Sequence, residues 1–163
     1  MNERNSKPKH EVYLGLGTNL GNRHTNMQLA CEEIEKLVGA IVRQSALIET
    51  EPWGFASEHK FLNAVVCCET DLLPREILRR TQEIERSLGR KQKSTGGIYH
   101  DRPIDIDILL YDNWNVCEPD LVIPHPLMTQ RDFVMRPLLE ILPLPTDFIP
   151  TERNRTTASD TSL

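Results

Sequence analysis

An α+β fold, a mainly antiparallel sheet with helices packed on it, is what the sequence predicts. Three observations carry this. Two stretches show the 3.6-residue apolar period of amphipathic helices. Four β-branched or alternating runs lie around them, and two of those runs follow each other with no helix between. The chain has 163 residues, about one domain, with 39% hydrophobic and 26% charged residues.

The elements follow in order. Residues 1–10 are polar and predict a loose start. Residues 11–17, EVYLGLG, predict a first strand that becomes a glycine turn. Asn22 is placed to cap a helix carrying Met27, Ala30, Ile34, Leu37 and Val38 on one stripe, with Gly39 as its stop. Residues 40–50 predict a second strand, 51–60 a loop with Pro52, Trp53, Gly54 and Phe55, and 61–70 a third strand. Pro74 suits the first turn of a second helix with Ile77, Thr81, Ile84 and Leu88 inside and Gly89 at its end. A basic loop leads to a fourth strand over 104–112. A third helical stretch is expected over 127–142. Residues 143–163 read as a Pro-rich, then polar tail. One catalytic domain over 11–142 is therefore expected. Strand–helix–strand–strand–helix–strand–helix is the split βαβ, ferredoxin-like pattern.

Composition excludes some functions. Lys plus Arg is 19 against 24 Asp plus Glu, a net charge of −5. That argues against a dedicated nucleic-acid binder or an anionic-membrane binder. No apolar run approaches the roughly 20 residues of a membrane span, and the first ten residues lack the apolar core of a signal peptide. A cytoplasmic protein is expected. Cys31, Cys67, Cys68 and Cys117 form no CxxC pair, which suits reduced thiols. Adjacent Cys67 and Cys68 should point to opposite faces of their strand.

The strongest chemical signal is Ile104-Asp105-Ile106-Asp107-Ile108. Asp105 and Asp107 share one strand face and the isoleucines the other. Two carboxylates about 6 Å apart repel by about 3 kcal/mol at an effective dielectric near 20. A divalent cation removes that penalty, and hard oxygens open to water and phosphate describe Mg²⁺ chemistry. The plain alternative is a solvated acidic strand face. Just before it, Arg90, Lys91, Lys93 and Arg102 flank Ser94-Thr95-Gly96-Gly97. Such a loop is either simply solvated or built to close on phosphate oxygens, for which Arg is suited.

Gly15-Leu16-Gly17-Thr18-Asn19-Leu20-Gly21 fits neither GxGxxG nor the P-loop. It is a tight strand-to-helix turn or part of a site lining. Phe61 and Asn63 share a strand face. Asn63 carries donors and an acceptor in one plane, able to read the edge of a heterocycle. Phe61 could stack on that ring with Trp53 and Phe55 over it, or simply pack in the core. His125 is held between Pro124 and Pro126, and Arg131 and Phe133 follow.

Together LGTNLGNR, FLNAVV, RPIDIDILLYD and IPHPLMTQRDFVMRPLLEI resemble the 6-hydroxymethyl-7,8-dihydropterin pyrophosphokinase family, over roughly residues 11–142. The resemblance implies a ferredoxin-like α+β fold. It implies transfer of pyrophosphate from ATP to the hydroxymethyl group of 6-hydroxymethyl-7,8-dihydropterin, giving AMP and the pterin diphosphate in folate biosynthesis. By position, Asp105 and Asp107 match the family's ligands for two Mg²⁺ ions. Thr50, Trp53, Phe61, Asn63 and Phe133 fall where the family holds the pterin. Gln82, Glu85, Arg90, Arg102, Ile106, His125 and Arg131 fall where it contacts ATP, with Arg90 and Arg102 joining the acidic pair in catalysis. Where the family often has Arg-Trp-Gly-Pro-Arg, this chain has Ile98-Tyr99-His100-Asp101-Arg102. A monomer is expected. The competing readings are a Mg²⁺-dependent phosphohydrolase, which would not need the ring-stacking set, and a ferredoxin-like ligand-binding module. The latter lacks here the basic face and aromatic motif of RNA-recognition domains.

Overall fold

A computed structural model describes residues 9–51, 59–89 and 103–143. β1 (His10–Thr18), α1 (Arg23–Leu37), β2 (Ala40–Gln44), β3 (Ile48–Thr50), β4 (Phe61–Thr70), α2 (Pro74–Ser87), β5 (Asp105–Tyr111), β6 (Val116–Glu118), β7 (Leu121–Ile123) and α3 (Asp132–Ile141) follow in order. The main sheet runs β2-β4-β1-β5, with β3 also on β4, and every pairing in it is antiparallel. The two βα units thus interleave, and the fold is ferredoxin-like, as the element order predicts.

The local reasons are those read from the sequence. Asn22 Oδ1 accepts from Thr25 N–H at 3.0 Å and starts α1, while Met27, Ala30 and Ile34 are buried. Pro74 occupies the first turn of α2, and Gly89 ends it at φ +107°. β4 is buried almost throughout because helices cover both faces of the sheet. On one face α1 and α2 close over Leu14, Leu16, Leu62, Val66, Ile104, Ile106 and Ile108. On the other, α3 lays Val134, Leu138 and Ile141 on Tyr13, Val65, Cys67, Leu109 and Leu110. Cys67 and Cys68 fall in opposite cores, as the pleat requires.

Four expectations change. The strand expected over 40–50 is broken at residues 45–47. There Ser45 exchanges hydrogen bonds with Val65, and the Ala46 N–H donates to Glu140 on α3. The third helix begins at Asp132, after a short 3₁₀ turn (Met128–Gln130), because Arg131 is extended at φ −121°, ψ 103°. A small hairpin, β6–β7, was not expected. It is tied to α2 by Arg75, whose guanidinium donates to both Glu118 and Asp120. Finally, Gly15 and Gly17 are not a turn. Both lie inside β1, paired on both sides, and the turn falls at Gly21, φ +71°.

All four cysteines are free thiols. Burial pushes the thiols of Cys31 and Cys67 up to about 11 and that of Cys68 up to about 12, whereas Cys117 is exposed. The folded chain keeps protons that the unfolded chain releases above its ordinary thiol range. Stability is therefore lost as pH rises from about 9 towards 11. At pH 8 a thiol reagent should react rapidly with Cys117, slowly with half-buried Cys31, and with Cys67 and Cys68 only on unfolding. More than one fast thiol in a reagent time course would contradict this burial.

Candidate active site

The site grows from the pleat of β5. Ile104, Ile106 and Ile108 point into the core under α1 and α2, so Asp105 and Asp107 stand half-buried on the opposite face. Antiparallel register then fixes their neighbours. Asp105 pairs with Gly17 and Asp107 with Gly15 on β1; across β1, Gly17 pairs with Asn63 and Gly15 with Val65 on β4. One row therefore runs Asn63–Gly17–Asp105. Its ends are two strand spacings apart, about 10 Å.

Gly17 makes that row a trough. A Cβ there would sit 3.1 Å from Asn63 Oδ1 and 3.5 Å from Phe61 Cδ1. Phe61 is buried and pairs with Thr50 on β3. The Asn63 amide is oriented by donating Nδ2–H to Thr50 Oγ1 at 2.6 Å. Thr50, Phe61 and Asn63 are thus assembled on one face with the acidic pair.

His125 enters from the far side of β5. It follows the cis Ile123–Pro124 peptide, and its N–H donates to Leu109 O at 3.0 Å. Its Nδ1 accepts from Leu127 N–H at 3.2 Å, which leaves the proton of a neutral imidazole on Nε2. That nitrogen lies 4.0 Å from Asp107 Oδ2. Arg131 stands at the N-cap of α3 and Phe133 in its first turn, and that helix covers the rest of this face. The Arg131 guanidinium is buried, 5.6 Å from the Phe133 ring centroid.

Gln82 and Glu85 lie elsewhere. They belong to α2, on the core side of β5, and Glu85 is buried. Glu85 Oε2 accepts the Ile106 N–H at 2.7 Å. In an antiparallel strand the carbonyl of a residue points the same way as its N–H, so Ile106 offers backbone at the outer edge of β5 while its side chain stays in the core. Glu85 and Ile106 thus meet, Gln82 lies one turn earlier on the same helix, and none of the three is on the Asn63 side of the sheet. Trp53, Arg90 and Arg102, with Phe55, the rest of the basic loop and Tyr99, lie outside the described residues.

Among the described residues no group of three or more His, Cys, Asp or Glu side chains could hold a metal ion. Asp105 and Asp107 offer two hard-oxygen donors. That set suits a cation whose other positions are filled by water and substrate phosphates, the habit of Mg²⁺. Sequence reasoning offered the glycine stretch as a turn or part of a site lining, but missed the trough inside β1. Its signal was available, because two glycines at i and i+2 inside a strand mark a face kept free of side chains.

Residues 13–143 match the model of the 7,8-dihydro-6-hydroxymethylpterin-pyrophosphokinase (HPPK) family. The chain is 56% identical over 133 residues to the 2-amino-4-hydroxy-6-hydroxymethyldihydropteridine pyrophosphokinase of Porphyromonas gingivalis, covering 81% of this chain and 90% of that one. It is 42% identical over 132 residues to the protein of the same name from Aquifex aeolicus, covering 81% and 80% respectively. Among solved structures it is similar to an HPPK-DHPS crystallised with substrates. That match has a TM-score of 0.71 at 17% identity and covers 95% of this chain but 44% of the other. The chain thus spans under half of that longer protein, and at this identity the likeness concerns the fold.

Proposed function

The chain belongs to the 7,8-dihydro-6-hydroxymethylpterin-pyrophosphokinase family, and from that premise we propose how its residues divide the reaction. The reaction is pyrophosphoryl transfer from ATP to the hydroxymethyl oxygen of 6-hydroxymethyl-7,8-dihydropterin, giving AMP and the pterin diphosphate in folate synthesis. In our reading the pterin lies in the Gly17 trough. Asn63 reads its amide edge, Thr50 holds the Asn63 amide in place, Phe61 and Phe133 stack on the ring, and Trp53 is assigned to the same ring by its position in the sequence. The single observation behind this is the Asn63–Gly17–Asp105 row, in which an amide and a carboxylate stand two strand spacings apart with only a glycine between them.

Asp105 and Asp107 would hold two Mg²⁺ ions brought with ATP. Bound there, the metal supplies neutralisation of the phosphate oxygens. Gln82, Glu85 and the Ile106 backbone take the nucleotide at the outer edge of β5. His125 and Arg131 face the phosphates, where Nε2–H of His125 is a fixed donor, and Arg90 and Arg102 are assigned to the same phosphates by their positions in the sequence. No side chain is assigned as general base. Alignment of the attacking oxygen with the β-phosphorus carries the rate, as positioning does in phosphoryl transfer generally.

We take the catalytic unit as residues 11–142, in keeping with the family match over 13–143. No helix among the described residues is long and apolar enough to cross a membrane. We extend the reading to a cytoplasmic monomer, which free buried thiols suit.

Two variants test the trough. Asn63→Ala should raise KM for the pterin about tenfold or more, the loss of a buried hydrogen-bonding edge, with KM for ATP little changed. Gly17→Ala should move the Asn63 amide and shift the same constant in the same direction. An equal rise in both KM values in steady-state kinetics would sink the edge-reading role.

A further inference from the structure

Arg23 opens α1, where a cation opposes the helix dipole and no acidic residue sits in the first turn. Something other than helix stability has to account for its place. Its guanidinium reaches two strands at once. Nη2 pairs with Glu49 Oε2 on β3 at 2.7 Å, and Nη1 donates to Lys60 O, just before β4, at 3.0 Å. Nearby, buried Asn19 donates Nδ2–H to His59 O at 3.0 Å, and Lys60 Nζ lies 3.5 Å from Glu51 Oε2. β3 has only three residues, and its pairing with β4 ends at Thr50 and Phe61. Strand pairing this short is marginal without a further tie.

We propose that Arg23 is a positioning residue for the pterin subsite, a clamp that holds β3 against β4 and thereby sets the Thr50–Asn63 hydrogen bond. The pleat separates it from the ligand. Glu49 pairs with Leu62, which lies in the core under α1, whereas Thr50, Phe61 and Asn63 face the other side. Arg23 therefore grips from beneath the sheet and cannot touch a ring in the trough. The fork matters as well as the charge, since the planar guanidinium presents Nη1 and Nη2 at fixed spacing to a carbonyl and a carboxylate together, whereas an ammonium on a flexible stem presets no such geometry.

The inference rests on the pterin lying at Asn63, and its test separates the two claims. Arg23→Ala should raise KM for the pterin about tenfold, with kcat and KM for ATP within about twofold of wild type. Glu49→Ala should give the same split, the double variant no more than either alone, and Arg23→Lys only partial rescue. Amide exchange at residues 48–50 and 61–62 should quicken in Arg23→Ala. If that variant does not fold, Glu49→Gln, which leaves the Lys60 bond in place, should show the same split to a smaller extent. Unchanged exchange, or KM for ATP rising in step with that for the pterin, overturns the clamp. A pterin KM that rises in Asn63→Ala but not in Arg23→Ala also refutes the clamp. One that stays constant in both refutes the placement of the pterin, and the inference with it.

Discussion

Replacing Asp105 or Asp107 by Ala should reduce turnover about 10³-fold, because several kcal/mol of charge stabilisation at the transferring phosphates depends on them. The fold should survive. Both side chains stand on the polar face of β5, while Ile104, Ile106 and Ile108 carry the packing. Each variant also removes one of two like charges set at i and i+2. A melting temperature within about 4 °C of wild type is expected, equivalent to a change of about 1 kcal/mol or less. The two results belong together. Loss of activity with loss of fold would mean a structural pair, and near wild-type turnover in either variant would remove the metal assignment.

Gly39→Ala should have the largest effect on stability. A Cβ at Gly39 would lie 2.0 Å from the carbonyl oxygen of Glu69 and 2.9 Å from its carbon. Both atoms are backbone of β4, the strand buried on both faces, so neither can swing aside as a side chain would. The joint between α1 and β2 is also held there, with Thr70 Oγ1 donating to Val38 O at 2.6 Å and Gly39 N–H to Ile34 O. Either the end of α1 or the start of β2 has to move. A loss of about 3 kcal/mol is expected, or roughly 6–12 °C in Tm for a chain of this size. A thermal melt within about 2 °C of wild type would show that the joint relaxes freely.

Gly39 also shows what a sequence reveals and what it hides. The residue stops α1 as its position suggests, but not by adopting a left-handed conformation, which is confined among the described glycines to Gly21 and Gly89. It is glycine because β4 passes too close for a side chain, and a close approach between residues 39 and 69 leaves no mark on local spacing. The acidic pair was legible because its geometry is local. Alternation alone puts Asp105 and Asp107 on one face. β4 was legible from its continuous apolar run, the mark of a strand covered on both sides. The Thr50–Asn63 bond and the grip of Arg23 on Glu49 and Lys60 were not legible, since they join residues brought together only by the sheet. The β6–β7 hairpin was missed because its strands have three residues each, although Pro119-Asp120 between them is a turn signal. Gln82 and Glu85 illustrate a further limit. Helical spacing predicts that they share a side of α2, but not that Glu85 spends a carboxylate oxygen on the Ile106 N–H.

The measurement that bears most directly on the account is the nucleotide product. The protein is incubated with ATP, Mg²⁺ and 6-hydroxymethyl-7,8-dihydropterin, and the reaction is resolved for AMP and ADP. The account predicts AMP, in step with the pterin diphosphate and only when the pterin is present. ADP in place of AMP, or nucleotide breakdown without the pterin, would contradict it and mean that the Asp105–Asp107 face serves a phosphohydrolase or a simple kinase instead.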